Sequence, residues 1–140
     1  MQLSEALQTQ LESRFPELFA DKDSEDSRMS DGCCFGDGWF PLFEALCVQI
    51  QACVERGEVR QPILSQVKAK VDLRIHWREA DDAVRQLSNA ACKQSLQICE
   101  VCGAAGSLMT DAKRRFMRAQ VRCEAHAAST NNCLKEERNT

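Results

Sequence analysis

The sequence predicts an α+β fold, and three patterns support this prediction. Apolar residues recur at helical spacing in three segments of the chain. Between residues 67 and 77 the period changes to two, which is typical of a strand or hairpin with one buried face. Cysteine and histidine then occur in two closely spaced pairs. We therefore expect a helical N-terminal part, a short antiparallel sheet or hairpin, and a C-terminal module braced by a metal ion.

The first helix is predicted over residues 2–15. Every fourth residue from Leu3 to Phe15 is apolar, so one stripe of such a helix would face the core. Pro16 is expected to interrupt the helix, because its ring removes a helical hydrogen bond.

A polar loop is predicted over residues 21–38, where Asp, Ser and Gly dominate. Cys33 and Cys34 lie in this loop and are expected to be dispensable, since no adjoining basic residue favours a reactive thiolate. Up to Asp31 the chain has eight acidic and three basic residues. We interpret this acidic N-terminal part as a solvated surface, with a partner-binding surface as the alternative.

A second helix is predicted over residues 39–56, where apolar residues recur at the spacing of a core helix. Asp37 lies between two glycines and is expected to cap the start of this helix. Gly57 is expected to end it. The same periodicity predicts a third helix over residues 79–97.

Residues 67–77 alternate between apolar and polar side chains, which predicts a strand with one buried face. This stretch is long for one strand, so a hairpin that bends near Val71 and Asp72, within residues 63–78, stays open as the alternative. The exposed face is either a solvated surface or a surface for an anionic partner. Its basic residues are Lys68, Lys70 and Arg74.

Nine cysteines are the unusual feature of the composition. Cys99 and Cys102 are separated by two residues, and so are Cys123 and His126. Cytosolic thiols stay reduced, and two such pairs supply the four donors of tetrahedral Zn²⁺. Gly103 would relieve the strain of a tight turn after the first pair. We expect one structural zinc ion per chain, held by all four side chains; the alternative is a chance arrangement of buried cysteines and a surface histidine.

The order of these features resembles a treble-clef zinc finger, with a knuckle, a hairpin and a second ligand pair at the start of a helix. We expect that helix to run from Cys123 to about residue 137. The hairpin stretch is basic and could contact nucleic-acid phosphates, or its cations could serve solubility alone. Its basic residues are Lys113, Arg114, Arg115, Arg118 and Arg122.

Length and charge narrow the classes of protein further. A chain of 140 residues is predicted to be a single domain. It would comprise an acidic helix and loop (1–35), an α/β core (36–97) and the zinc module (98–135). The net charge of -3 excludes a globally basic protein that coats nucleic acid. Because we find neither a long apolar run nor a signal-peptide pattern, we expect a cytoplasmic protein without a membrane partner.

Four segments of the chain carry a resemblance to a known group. In chain order they are Gly36-Asp37-Gly38-Trp39-Phe40, Gln66-Val67-Lys68-Ala69-Lys70, Ile98-Cys99-Glu100-Val101-Cys102-Gly103 and Cys123-Glu124-Ala125-His126. Together they resemble a group of uncharacterised small proteins encoded by bacteriophages and prophages, over about residues 36–127. The resemblance implies a mobile-element origin, a zinc site and a bacterial host cytoplasm.

We do not expect an enzyme. A catalytic zinc needs an open coordination position, which four protein ligands would close. His76 lacks an acid or amide at the spacing of a His-Me finger nuclease. The first hypothesis is a phage accessory protein that binds and inhibits a host protein complex, such as an anti-CRISPR-type inhibitor of host defence. The alternative is a nucleic-acid-binding regulator that uses the basic hairpin 113–122. A homodimer is compatible with both.

Overall fold

A computed structural model describes residues 1–109 and 120–126 and confirms the α+β class. Within these residues the α-helices are α1 (Glu5–Arg14), α2 (Phe40–Glu55) and α3 (Asp82–Gln94). The strands are β1 (Cys33–Cys34), β2 (Ile63–Lys70), β3 (Asp72–Glu79), β4 (Ser107–Met109) and β5 (Gln120–Arg122). Short 3₁₀ turns occupy Met29–Asp31, Asp37–Trp39 and Ser95–Gln97.

The predicted helices are present with slightly shorter bounds. Helix α1 ends at Arg14, just before Pro16, as the loss of a backbone donor requires. Gly57 follows α2 with a φ of 75°, the left-handed conformation that glycine adopts most readily after a helix. None of the helices in residues 1–109 and 120–126 combines the length and apolar character that crossing a bilayer requires.

The alternating stretch is a hairpin and not one long strand. Strands β2 and β3 pair antiparallel, and Lys70 lies opposite Asp72 with only Val71 between them. Val71 has a φ of 75°, which is strained for a β-branched residue. Strand β1 adds to the other edge of β2 in parallel, with Cys33 opposite Val67. The sheet order is therefore β1-β2-β3.

One face of this sheet builds the main core. The one-residue turn keeps the apolar positions of both strands on the same face, where Val67 and Leu73 are buried. They share a core cluster with Phe43 of α2, Val84 of α3 and Leu11 of α1. The apolar face of the hairpin, which the period of two predicted, is confirmed.

The prediction of a polar loop over residues 21–38 is wrong in part. Met29, Cys33 and Phe35 are all at most 1% exposed. They are buried because β1 pairs with β2, whose sequence lies thirty residues further along the chain, and because Cys33 also accepts a backbone bond from Leu3. Burial, and then the neighbouring Cys34 and Glu12, raise the pKa of the Cys33 thiol.

The predicted capping role of Asp37 is also wrong. Helix α2 begins at Phe40, with Pro41 in its first turn, and no side chain caps it. The carboxylate of Asp37 instead accepts a bond from the backbone N–H of Ser4, at 2.8 Å. Asp37 therefore ties the start of α1 to the turn before α2.

Replacing Cys33 by Ser is expected to destabilise the protein, contrary to the sequence-based expectation for this loop. A hydroxyl placed in an apolar site costs about 1–3 kcal/mol. Cys34→Ser is the matched control, because Cys34 is only half-buried, and it should cost less than about 0.5 kcal/mol. Urea unfolding of both variants measures the difference, and equal stabilities would contradict the burial of Cys33.

Candidate metal centre

Cys99, Cys102, Cys123 and His126 form one cluster, as their spacing predicted. Their donor atoms all lie within 4.8 Å of one another. The Sγ atoms of Cys102 and Cys123 are 3.6 Å apart, and Nδ1 of His126 lies 3.2 Å from Cys123 Sγ and 3.7 Å from Cys99 Sγ. Tetrahedral bonds to Zn²⁺ of about 2.3 Å from sulfur and about 2.0 Å from nitrogen give ligand separations of roughly 3.5–3.8 Å. The donor set therefore has the dimensions of a tetrahedral site.

The first ligand pair lies on a tight knuckle. Gly103 has a φ of 84°, as its predicted role in the turn requires, and its N–H donates to the carbonyl of Cys99 at 2.9 Å. Burial raises the pKa of the Cys99 thiol, but N–H groups of Cys123, Cys102 and Val101 outweigh it and lower the pKa to about 6. Backbone donors thus favour a thiolate at this position, which is the form that binds a metal.

The second pair follows β5. Strands β4 and β5 form a short antiparallel ladder, and Cys123 comes directly after it. The N–H of His126 donates to the carbonyl of Cys123 at 3.1 Å, so one helical turn brings both side chains to the cluster. The predicted helix beyond residue 126 lies outside the described residues.

The turn that precedes α2 holds the knuckle in place. Gly38 N–H donates to the carbonyl of Glu100 at 2.8 Å, and the indole N–H of Trp39 donates to the carbonyl of Ile98, also at 2.8 Å. A Cβ on Gly38 would lie 2.2 Å from the carbonyl oxygen of Cys99. Glycine is required here because two backbone segments are in direct contact.

Glu100 and Arg122 form a buried ion pair beside the cluster, which the sequence analysis did not identify. One carboxylate oxygen of Glu100 accepts the N–H of Gly36 at 3.0 Å, and the other accepts Nη1 of Arg122 at 3.4 Å. Glu100 is 6% exposed and Arg122 is 4% exposed. The expectation that Arg122 contacts a partner is therefore corrected, since its side chain is enclosed. The sequence signal for Glu100 was its position between Cys99 and Cys102 in the knuckle. Within this stretch, the sequence-based prediction assigned a role only to the two cysteines.

The remaining predicted contact residues do not join the cluster. Lys68, Lys70 and Arg74 lie on the outward face of β2 and β3. The other basic residues of the predicted hairpin lie outside the described residues; they are Lys113, Arg114, Arg115 and Arg118. No family model, no curated protein and no solved structure matches the chain.

Gly38→Ala is expected to destabilise the protein by about 2–3 kcal/mol or more, because the added methyl group would overlap backbone atoms that cannot rotate away. Gly57→Ala is the matched control. Gly57 has a positive φ but open space around it. Gly57→Ala should therefore lower the free energy of unfolding by about 1–2 kcal/mol, from backbone strain alone. Urea unfolding compares the two variants. An equal or smaller loss of unfolding free energy for Gly38→Ala would contradict the direct contact between the turn and the knuckle.

Proposed function

We propose that the four donors hold one Zn²⁺ ion per chain and that this ion is structural. Three thiolates and one imidazole suit zinc among the common divalent ions, whereas carboxylate-rich sites suit magnesium or calcium. The separations between the donor atoms support this assignment. The four protein ligands complete the tetrahedral shell, so the ion would have no open position for a substrate or a water nucleophile.

We further propose that the protein acts by binding and not by catalysis, and that its partner is a protein of the host of a mobile element. The clustering of four protein donors, which would fill a tetrahedral shell, is the observation that supports the non-catalytic role. The resemblance to small phage and prophage proteins supports a protein of the bacterial host as the partner. A host-defence complex, of the kind that anti-CRISPR proteins inhibit, is the class of target we favour, and a bacterial cytoplasm is the corresponding location.

The outer face of α2 supports a protein partner over a nucleic acid. Pro41, Ala45 and Val48 are exposed along one side of this helix, and Val48 is 46% exposed. Two nearby charges are paired within the chain, since Arg14 pairs with Glu44 and Arg56 pairs with Glu58, while Glu55 at the end of the helix is exposed. The apolar stripe from Pro41 to Val48 fits an apolar groove on another protein.

The alternative function is a nucleic-acid-binding regulator that uses the basic stretch 113–122. Four of its five basic residues lie outside the described residues, and the fifth, Arg122, is enclosed against Glu100. The net charge of -3 also disfavours a protein whose main partner is nucleic acid. We therefore favour the protein-binding function.

Purified protein is expected to contain one zinc ion per chain, and Cys102→Ser should lose it. Because binding energy of a structural ion adds to the folded state, this variant should also unfold at least the segment around the cluster. Cys53→Ser removes a half-buried cysteine of α2 and should keep both metal and fold. Elemental analysis and circular dichroism measure the two properties. Well-folded protein without zinc would refute the assignment.

Capture from a bacterial lysate is expected to retain a host protein whether or not nuclease is added. Val48→Glu should abolish this capture, because it places a charge in the apolar stripe of α2. Gln86→Glu adds the same charge to the exposed surface of α3 and should leave capture unchanged. Mass spectrometry of the retained proteins gives the readout. Retention that nuclease removes would favour the regulator function instead.

A further inference from the structure

The outward face of the β2–β3 hairpin is a polar surface that the metal centre does not use. Cross-strand pairs place side chains of both strands side by side on this face. The pairs are Gln66 with His76, Lys68 with Arg74, and Lys70 with Asp72. Lys70, Arg74 and His76 are exposed, while Gln66 and Lys68 are half-buried. The opposite face is closed by the core.

This face carries a net positive charge in an acidic protein. Within residues 1–109 and 120–126, Lys68 and Lys70 form no ion pair. Nε of Arg74 donates to Asp72 at 2.6 Å, and its two terminal nitrogens bond to no described residue. These cations are therefore available to an anionic ligand.

The charges are also sorted along the hairpin. At the end away from the turn, Nη1 of Arg78 donates to both carboxylate oxygens of Asp21 at 2.7 Å, and Asp26 lies near the same guanidinium. The acidic N-terminal segment thus neutralises the far end of β3. The free cations are left near Val71, so an anionic ligand would meet the turn end first.

We propose that this face binds duplex DNA, with the hairpin lying in the major groove. Strand β1 pairs only with Val67 and Lys68, so the turn end of the sheet consists of β2 and β3 alone. These two antiparallel strands lie about 5 Å apart and form a ribbon that fits a groove about 12 Å wide. Lysine and arginine bond to guanine or to phosphate, and glutamine bonds to adenine, so the side chains on this face are of the types that contact DNA in this groove. This activity is additional to the proposed protein-binding function and does not rest on it.

Two other anionic ligands fit the face less well. Single-stranded nucleic acid is bound largely by stacking of bases on aromatic side chains, and His76 supplies the one aromatic ring among the six paired residues on this face. An acidic protein segment would use the cations alone, without a role for Gln66 or for the ribbon shape. Duplex DNA uses both the charge and the shape of the face.

The test is a fluorescence-anisotropy titration of the zinc-loaded protein with a labelled 20-base-pair duplex at 0.05 and 0.15 M salt. Three cationic contacts correspond to a slope of about -2.7 in the logarithm of affinity against log salt, or roughly a twentyfold loss over this interval. The triple variant K68Q/K70Q/R74Q should bind at least tenfold more weakly at low salt and lose most of the salt dependence. The variant R56Q/R60Q/R85Q removes the same charge from exposed positions off this face and should bind like the wild type.

Three outcomes would overturn the proposal. If the first triple variant binds the duplex as well as the wild type, the contacts lie elsewhere, and the basic stretch 113–122 becomes the candidate. If both triple variants weaken binding equally, the effect is one of net charge. If poly-glutamate or the single strand binds more tightly than the duplex at equal charge concentration, the ligand is of another class. Circular dichroism of each variant ensures that lost binding is not lost folding.

Discussion

The contact between the backbone of Gly36–Trp39 and that of residues 98–100 is the constraint on which the rest of the structure depends. Two segments about sixty residues apart approach so closely that a single Cβ on Gly38 would overlap the carbonyl oxygen of Cys99. Hydrogen bonds from Gly38 to the carbonyl of Glu100 and from Trp39 to the carbonyl of Ile98 join the two segments. The metal knuckle is therefore positioned by the turn that leads into α2, and not only by its own cysteines.

The buried ion pair and the metal cluster join the same two segments in parallel. Glu100 follows Cys99, and Arg122 precedes Cys123, so each partner of the ion pair is adjacent to a residue of the candidate metal cluster. Breaking a buried pair leaves an uncompensated charge and typically costs about 3–5 kcal/mol. Glu100 also accepts the N–H of Gly36. A single carboxylate thus connects the N-terminal core, the knuckle and β5.

The surfaces of the protein are kept chemically distinct by the geometry of the elements that carry them. The one-residue turn at Val71 preserves the alternation of both strands, so the apolar and cationic faces of the hairpin do not mix. The strain at Val71 is the cost of that short turn. Helix α2 instead exposes an uncharged stripe on the other side of its buried residues. A basic and an apolar surface therefore lie on separate elements of one small chain.

Local chemistry in the sequence determined much of the outcome. Helical spacing located α1, α2 and α3, because each helix must bury one apolar stripe. Pro16 and Gly57 marked helix ends through their backbone properties alone. The spacing of Cys99, Cys102, Cys123 and His126 identified the ligand cluster, because two short turns suffice to bring each pair to one point.

The tertiary structure decided what depends on residues far apart in the chain. The burial of Cys33 follows from its pairing with Val67, and no local pattern encodes a parallel partner for two residues. Asp37 bonds to Ser4 and Arg122 to Glu100, although capping and phosphate contact were the expected roles of these side chains. In both cases a charged group bonds to a partner that only packing brings near. For Arg122 and Glu100, which are both buried, the removal of water also strengthens the pair.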